Sequence, residues 1–344
     1  MHIAISWQLI PEFAIVGLAA TAVCAVLIVA LMPLLERYAL ARPNARSSHV
    51  IPTPQGGGIA VVGAVLLLSI PAMLFLPGFD AAQIKQLWLL LGASAFLAVV
   101  GAVDDIRTIE ALPRLVFQFL AVGTVVGLLP EEVRVVPALP MWLERAATVF
   151  AGVWFVNLMN FMDGIDCLTV TEVVPLAAAL CLLALAGALP QSGALIAFAL
   201  LGAMVGFAPF NRPVAKLFLG DVGSLPIGLL TFWLLLQLGG RGYFAAALLL
   251  PLYYLADATI TLLLRIARGE SIMTAHRNHY YQQAVDRGVT VPAVLGRVGA
   301  VNLVLVLLAL ASVLLHSWLF DLAAIAAGGA LVAFLLINLA RSAR

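Results

Sequence analysis

Five aspartates lie at the ends of apolar stretches that are long enough to cross a membrane: Asp104, Asp105, Asp163, Asp166 and Asp221. A charged side chain inside a bilayer costs about 2.5–3.5 kcal/mol on insertion scales, so acidic residues in such stretches are rare and usually functional. The acidic stretches read GAVDDIR, NFMDGIDCL and KLFLGDVGS. Together they predict one site that binds a hard cation and phosphate groups.

The composition excludes a soluble fold. The 344 residues are 64% hydrophobic and 10% charged, with a mean hydropathy of +1.11, whereas soluble domains carry about 25% charged residues. A net charge of +1 and the lack of a basic tract argue against a nucleic-acid partner. Cys24, Cys167 and Cys181 lack the paired spacing of a disulfide or a thiolate metal site. We therefore expect the lipid bilayer to surround the chain.

Apolar runs of about 20 residues predict an all-α, polytopic membrane protein with about 11 transmembrane helices. The first run lacks a basic leader and a small-residue cleavage site, so we expect it to be a retained span. The predicted spans are about 9–35, 57–77, 86–103, 113–129, 139–158, 170–189, 193–210, 223–238, 243–266, 294–315 and 321–340.

Lysine and arginine orient these spans. Of the 18 such residues, Lys85, Arg134, Arg145 and Arg241 fall on one side of the membrane and all the others on the opposite side. Positive charge concentrates in cytoplasmic loops, so the N-terminus is predicted outside, with the C-terminus and all five aspartates on the cytoplasmic side. Residues 1–344 then form a single membrane domain. Its cytoplasmic catalytic loops are expected at about 36–56, 104–113, 159–169, 211–222 and 267–293.

Each acidic motif also has a structural interpretation. The adjacent carboxylates of Asp104 and Asp105 favour a cation opposite them, or else they mark a water-exposed helix end. Asn157, Asn160 and Asp163 are spaced i, i+3, i+6 and share one helix face, where they could bind a nucleotide. For Asn157 the alternative is a hydrogen bond between helices.

The stretch around Asp221 combines a carboxylate with free backbone N–H groups at a helix start. Gly220 and Gly223 flank Asp221, and Lys216 supplies a nearby charge. This arrangement suits a metal-bound phosphate. The alternative is a helix cap whose glycines serve packing.

The segment 267–293 contributes Arg268, His276, Arg277 and His279. We favour phosphate binding over metal binding there, with histidine as a proton donor or acceptor. For Arg268, topology alone is an equally good explanation. The Pro/Gly loop at 47–58 includes His49 and could hold backbone amides against an anion, or could serve packing. Asp257, inside the ninth span, is either a structural partner or part of the site wall.

Taken together, the motifs resemble the polyprenyl-phosphate N-acetylhexosamine-1-phosphate transferases of glycosyltransferase family 4. The resemblance covers about residues 44–290 and keeps the order of that family: SSH…PTPxGGG, DD, NxxNxxDGxD, NxxxAKxFxGDxGS, an intramembrane Asp-x-Thr and HRxH. It implies Mg²⁺, with Mn²⁺ as an alternative, a UDP-N-acetylhexosamine donor and a polyprenyl-phosphate acceptor, normally undecaprenyl phosphate. It also implies a bacterial inner membrane and a site that faces the cytoplasm. A homodimer is left open.

The resemblance implies roles residue by residue. Asp104 and Asp105 are similar to an aspartate pair of which one member handles the proton of the acceptor phosphate. Asp221 corresponds to the magnesium-binding aspartate, and we also consider Asp105 as a metal ligand. Catalytic roles are expected for Asp104, Asp105, Asp166 and His279, and Asp166 shares the nucleotide site with Asn157 and Asp163. The full set of expected substrate-binding residues is Asn157, Asn160, Asp163, Lys216, Arg268, His276, Arg277 and His49.

The chain departs from the family pattern at a few positions. Tyr281 and Gln282 replace later histidines of the HRxH loop, which resembles the O-antigen and surface-polysaccharide branch more than the peptidoglycan enzyme. Cys167 replaces a glycine, and Gln55 stands where that branch commonly has a basic residue. A peptidoglycan-type phospho-sugar translocase is the alternative within the superfamily. A cation-coupled transporter would instead need charges near mid-membrane and related halves. Direct attack and an aspartyl-phosphate intermediate both stay open.

Overall fold

The computed structural model describes residues 10–41, 52–270 and 277–341, and these residues are 78% helical. A two-stranded ribbon consists of β1 (Leu40–Ala41) and β2 (Thr53–Pro54). The helices are α1 (Ile10–Tyr38), α2 (Gly58–Phe75), α3 (Ala81–Ile106), α4 (Ala111–Gly127), α5 (Met141–Met162), α6 (Leu168–Leu185), α7 (Gln191–Asn211), α8 (Asp221–Gly239), α9 (Phe244–Leu249), α10 (Leu252–Ala267), α11 (Tyr280–Asp286), α12 (Val291–Leu315) and α13 (Trp318–Arg341).

Within the described residues, eight helices are long and apolar enough to cross a membrane: α1, α2, α3, α6, α7, α8, α12 and α13. Helix α4 is apolar but shorter. This confirms the predicted all-α polytopic membrane class. The count of eleven spans and the positions of the termini relative to the membrane stay predictions.

The predicted ninth span is broken in the structure. Where the sequence predicts one helix over about 243–266, α9 ends at Leu249 and α10 begins at Leu252, with Pro251 at the break. Proline lacks a backbone N–H and its ring collides with the preceding turn, so it interrupts a helix whose composition is otherwise suitable. The segment 267–293 also contains α11, a helix that the sequence analysis did not predict.

Helix α8 is the centre of the bundle. In its 18-residue apolar window 94% of residues are buried, against 28% for α1, which packs on α7 at the periphery. Helices α2, α3 and α5 all pack against α8. The start of α2, the end of α3 and the end of α5 meet the first turn of α8, so four helix ends converge there.

A small ribbon fastens the loop before α2 to this point. β1 pairs antiparallel with β2, with Leu40 opposite Pro54, and Gln55 forms a parallel bridge with Phe218. The segment 218–220, which leads into α8, is therefore held from one side by the loop that enters α2.

Candidate active site

Asp105 caps the first turn of α8. Its Oδ1 accepts the backbone N–H of Asp221 at 3.0 Å and its Oδ2 accepts that of Val222 at 3.1 Å. The first N–H groups of a helix lack partners within the helix, and a carboxylate there also complements the helix dipole. Both oxygens of Asp105 are used in this way. Asp105 therefore positions Asp221, which is the first metal candidate, and the expectation that Asp105 is also a metal ligand stays a prediction.

Glycines allow α2 and α3 to pack closely against the first turn of α8. A Cβ at Gly101 of α3 would lie 2.3 Å from the carbonyl of Asp221, and one at Gly220 would lie 2.5 Å from Asp105 Oδ2. Gly220 also has φ +76°, in the left-handed region that favours glycine. Gly58 of α2 packs against Gly223, where a Cβ would come within 2.2 Å of the Gly223 backbone. The glycines around Asp221 thus serve close packing.

Asp104 is neutralised by Arg114, a residue that the sequence analysis did not select. Arg114 Nη1 lies 2.9 Å from Asp104 Oδ2 and 3.7 Å from Asp221 Oδ2. The backbone N–H of Ile109 donates to Asp104 Oδ1 at 2.6 Å. Arg114 stands ten residues after Asp104, on the first turn of the next helix. The sequence signal for this ion pair was an acidic pair at one helix end followed by an arginine at the start of the next helix.

Asn160 contacts Asp221 directly. Its Nδ2 donates to Asp221 Oδ1 at 2.7 Å and to Ser224 Oγ at 2.9 Å. The structure therefore places Asn160, expected to bind substrate, beside the metal candidate and brings the end of α5 into the site.

Asn157 lies one turn earlier and makes a different contact. Its amide exchanges two hydrogen bonds with Gln118 of α4, at 2.5 and 3.3 Å, and donates to the carbonyl of Val153. Asn157 is 7% exposed. Of the two interpretations left open for Asn157, the contact with Gln118 supports the hydrogen bond between helices, and a substrate contact of Asn157 stays a prediction.

The turn after α5 holds Asp163 and Asp166. Asp163 Oδ1 accepts the Thr169 hydroxyl at 2.6 Å, and Asp166 Oδ2 accepts the backbone N–H of Ala215 at 2.9 Å. Burial raises the pKa of Asp163 to about 7, and the negative charges of Asp105 and Asp166 act in the same direction. Asp163 thus feels the charges of both Asp105 and Asp166, and Asp166 is itself buried against the loop that precedes α8.

Cys167 forms a left-handed turn before α6. Its φ is +59°, in the left-handed region, and its backbone N–H donates to Asn211 Oδ1 at 2.8 Å. Burial raises the pKa of the Cys167 thiol to about 11, so the thiol stays protonated at neutral pH. The left-handed turn therefore forms with a cysteine at this position.

His279 is buried and paired with Asp257. The two side chains approach to 3.2 Å between His279 Nδ1 and Asp257 Oδ1, and they are 2% and 0% exposed. Asp257 also accepts the backbone N–H of Tyr280 and the hydroxyls of Tyr253 and Thr261. Of the two interpretations left open for Asp257, the structure supports a positioning partner that holds the segment around His279.

The predicted phosphate contacts differ in their surroundings. Lys216 is exposed beside the segment that leads into α8, and Arg268 is exposed at the end of α10, 4.0 Å from Glu270. Arg277 forms an ion pair of 2.6 Å with Asp286, which ties it to α11. His49 and His276 lie outside the described residues, so their predicted roles stay predictions.

The Pro/Gly loop does not present its glycine amides to an anion. The N–H groups of Gly56 and Gly57 donate to the carbonyl of Phe218, and that of Gly58 donates to Leu219. Gln55 Nε2 donates to the Asp105 carbonyl at 2.7 Å. The amides of Gly56–Gly58 are therefore used in packing this loop against the start of α8, which corrects the anion-binding interpretation for these three residues.

The site suits a cation that is shared with a substrate. Within the described ranges, no group of three or more His, Cys, Asp or Glu side chains is arranged to hold a metal ion. Mg²⁺ typically takes only one or two carboxylates and completes its shell with phosphate oxygens and water. The carboxylate of Asp221, fixed by Asn160 at one oxygen, fits that requirement.

Comparisons with known proteins point to one group of enzymes. The family described as glycosyl transferase family 4 matches residues 87–239, from within α3 to the end of α8. A decaprenyl-phosphate N-acetylglucosaminephosphotransferase of Mycobacterium tuberculosis is 33% identical over 245 residues, which are 64% of this chain and 58% of that protein.

A second relative acts on a different sugar. A phospho-N-acetylmuramoyl-pentapeptide-transferase of Carboxydothermus hydrogenoformans is 32% identical over 204 residues, or 51% of this chain and 59% of the relative. The chain thus spans less than two thirds of the length of the curated relatives it matches. The family match contains Asp104, Asp105, Asp163 and Asp221 and ends before Asp257 and His279.

Proposed function

We propose that this chain, which belongs to the superfamily of polyprenyl-phosphate hexosamine-1-phosphate transferases, transfers an N-acetylhexosamine-1-phosphate group from a UDP-sugar to undecaprenyl phosphate. The products are a polyprenyl-diphosphate sugar and UMP. The observation that carries the proposal is the convergence of Asp104, Asp105, Asp163 and Asp221, with Asn160 and Arg114, where four helix ends meet.

The reaction is a direct displacement at phosphorus. An oxygen of the lipid phosphate attacks the β-phosphorus of the donor, the bond from that phosphorus to the bridging oxygen breaks, and UMP leaves with the electron pair. A phosphomonoester has a second pKa of about 6, so its oxygen is nucleophilic near neutral pH without a strong base. The carboxylates of Asp104 and Asp105 are both engaged by protein donors, which supports direct attack over an aspartyl-phosphate intermediate.

Catalysis would consist of positioning and charge stabilisation. A bound Mg²⁺ or Mn²⁺, held by Asp221, would neutralise charge on the donor phosphates. Lys216 and Arg268 are exposed cations that can contact phosphate oxygens. His279, oriented by Asp257, is available to hold or move a proton.

Two features of the sequence support the proposed pathway branch and the proposed membrane side. Tyr281 and Gln282 in place of later histidines favour an O-antigen or surface-polysaccharide enzyme over a peptidoglycan enzyme, although relatives of both sugar classes match. The distribution of lysine and arginine supports a site that faces the cytoplasm of a bacterial inner membrane.

A substrate panel tests the proposal. The purified protein is supplied with undecaprenyl phosphate, Mg²⁺ and a set of UDP-N-acetylhexosamines that includes UDP-N-acetylmuramoyl-pentapeptide, and release of UMP is measured. We expect lipid-dependent UMP release with a UDP-N-acetylhexosamine and its loss in Asp221→Asn. UMP release without the lipid would refute direct attack. Transport of a solute across vesicles with no UMP from any donor would favour the cation-coupled transporter.

A further inference from the structure

Tyr281 connects α11 to the turn that carries Asp163. The side chain is 0% exposed, and its hydroxyl donates to the carbonyl of Phe161 at 3.0 Å. Phe161 lies in the last turn of α5, where carbonyl groups have no partner within the helix. Burial raises the pKa of Tyr281 well above its ordinary value, with the charges of Asp257 and Asp163 acting in the same direction, so the hydroxyl stays a donor.

Gly164 leaves room for this hydroxyl. A Cβ built on Gly164 would lie 2.1 Å from Tyr281 Oη, 3.1 Å from Tyr281 Cζ and 3.0 Å from Gln282 Nε2. The first distance is far inside any real contact, whereas the other two need a shift of only a few tenths of an ångström. Tyr281 and Gly164 therefore fit together across two segments that are more than a hundred residues apart in the chain.

The ring of Tyr281 also packs on His279. The two rings stack with centroids 5.8 Å apart and an interplanar angle of 18°. His279 is itself held by Asp257 of α10. A continuous series of contacts thus runs from α10 through His279 and Tyr281 to the end of α5.

We infer that Tyr281 is a positioning residue that sets the geometry of the turn that carries Asp163. Its hydroxyl occupies the space left by Gly164 and from there holds the carbonyl of Phe161. The inference rests on the proposed transferase function, because the turn it positions belongs to that site. It also gives a physical role to a tyrosine that stands where the family more often has a histidine.

A double-mutant cycle tests the contact. Tyr281→Phe should lower kcat about three- to tenfold, as expected for loss of one hydrogen bond. Gly164→Ala should lower kcat about 100-fold, because the methyl group displaces the turn by roughly an ångström. In the double variant Gly164→Ala with Tyr281→Phe the hydroxyl is gone, so we expect kcat to recover at least about fivefold relative to Gly164→Ala alone, a coupling typical of residues in contact.

Matched controls separate the contact from general effects. Tyr280→Phe removes a neighbouring hydroxyl that makes no hydrogen bond within the described residues, and Gly123→Ala adds a methyl group where nothing lies within 4 Å. Both should keep wild-type kcat. An active wild type whose kcat is unchanged by Tyr281→Phe, or a double variant no better than Gly164→Ala, would overturn the inference.

Failure of the proposed function can be distinguished from failure of the inference about Tyr281. A wild type that releases no UMP with any donor contradicts the function, and the same cycle read by thermal unfolding then tests the contact. Additive changes in melting temperature would overturn the inference in that case. If Gly164→Ala does not fold, kcat of Tyr281→Phe against Tyr280→Phe decides.

Discussion

The carboxylate of Asp105 holds the backbone of Asp221, accepting the N–H groups of Asp221 and Val222 at 3.0 and 3.1 Å. The DD motif and the GDxGS motif are therefore two halves of one structural unit. One aspartate fixes the helix start from which the other reaches the site. An asparagine can accept only one of the two N–H groups and would point its own N–H group at the other.

Asp105→Asn should therefore remove activity through position. We expect a loss of about 1.5–3 kcal/mol in the free energy of unfolding, the range for hydrogen bonds to charged groups, together with a fall in kcat. Thermal unfolding and UMP release measure the two effects. Wild-type stability in Asp105→Asn would contradict the capping role.

Gly220→Ala tests the same contact from the other side. A Cβ there would lie 2.5 Å from Asp105 Oδ2, at a φ of +76°. Gly242 is a matched control, because its φ is +93° but nothing lies within 4 Å of its Cβ position. Gly220→Ala should lower UMP release at least about tenfold more than Gly242→Ala, since misplacement of a reacting group by 1 Å can cost about 100-fold. Equal losses would mean that backbone strain alone matters.

We expect Arg114 to compete with a metal ion for Asp221. Its guanidinium lies 3.7 Å from Asp221 Oδ2 while it pairs with Asp104 at 2.9 Å. Removing this charge should strengthen cation binding, because the carboxylates are then neutralised less. We expect Arg114→Gln to bind Mn²⁺ about three- to tenfold more tightly in the absence of substrate, where tenfold corresponds to about 1.4 kcal/mol. We also expect this variant to have a lower kcat.

Arg114→Lys keeps the charge and is the matched control, with wild-type metal affinity expected. Calorimetric titration with Mn²⁺ measures the affinity and UMP release the turnover. Weaker Mn²⁺ binding in Arg114→Gln than in Arg114→Lys would show that Arg114 does not compete with the cation.

The sequence was sufficient to predict most of the membrane helices, because a long apolar run is a local signal. The break at Pro251 was missed since the residues on both sides are as apolar as any span, and α11 was missed because seven residues of mixed polarity carry little periodicity. Both errors concern features that depend on single residues or short segments.

The site was predictable in its residue types but less so in their contacts. Asp221 and Asn160 are in direct contact, whereas the partners of Asp105 and Asn157 lie 116 and 39 residues away along the chain. A hydrogen bond of that separation leaves no local pattern. Gly101 was overlooked for the same reason, because a glycine in an apolar helix gives no indication of which backbone it must admit.

The pKa of Asp163 predicts a pH-dependent stability. Burial raises it from an ordinary value of 3.8 to about 7. Between these values the folded chain binds a proton that the unfolded chain has lost, so the free energy of unfolding decreases as pH rises through this window. The stability that the protonated Asp163 contributes to the folded state is fully present below about pH 4 and is lost above about pH 7.

Asp163→Asn should flatten that dependence. Melting temperatures of wild type and variant, measured in a chelating buffer between about pH 4 and pH 7, should converge at the acidic end and diverge toward neutral pH, with the variant more stable there. Glu132→Gln, which alters an exposed carboxylate, is the control and should follow the wild type. A variant as pH-sensitive as the wild type would show that other groups carry the dependence.

The reciprocal amide pair of Gln118 and Asn157 should contribute stability without contacting substrate. Both residues are buried, and side-chain hydrogen bonds between membrane helices contribute about 0.6 kcal/mol on average and about 1.7 at most. Gln118→Leu should therefore lower the free energy of unfolding by roughly 1 kcal/mol, because the Asn157 amide loses its partner on α4 and keeps only the Val153 carbonyl. Adding Asn157→Leu should restore most of this loss, since no buried amide is then left without its partner. The KM for the UDP-sugar, measured by steady-state UMP release, should stay at the wild-type value in both variants. A higher KM in the single variant Asn157→Leu would instead show that Asn157 contacts the substrate.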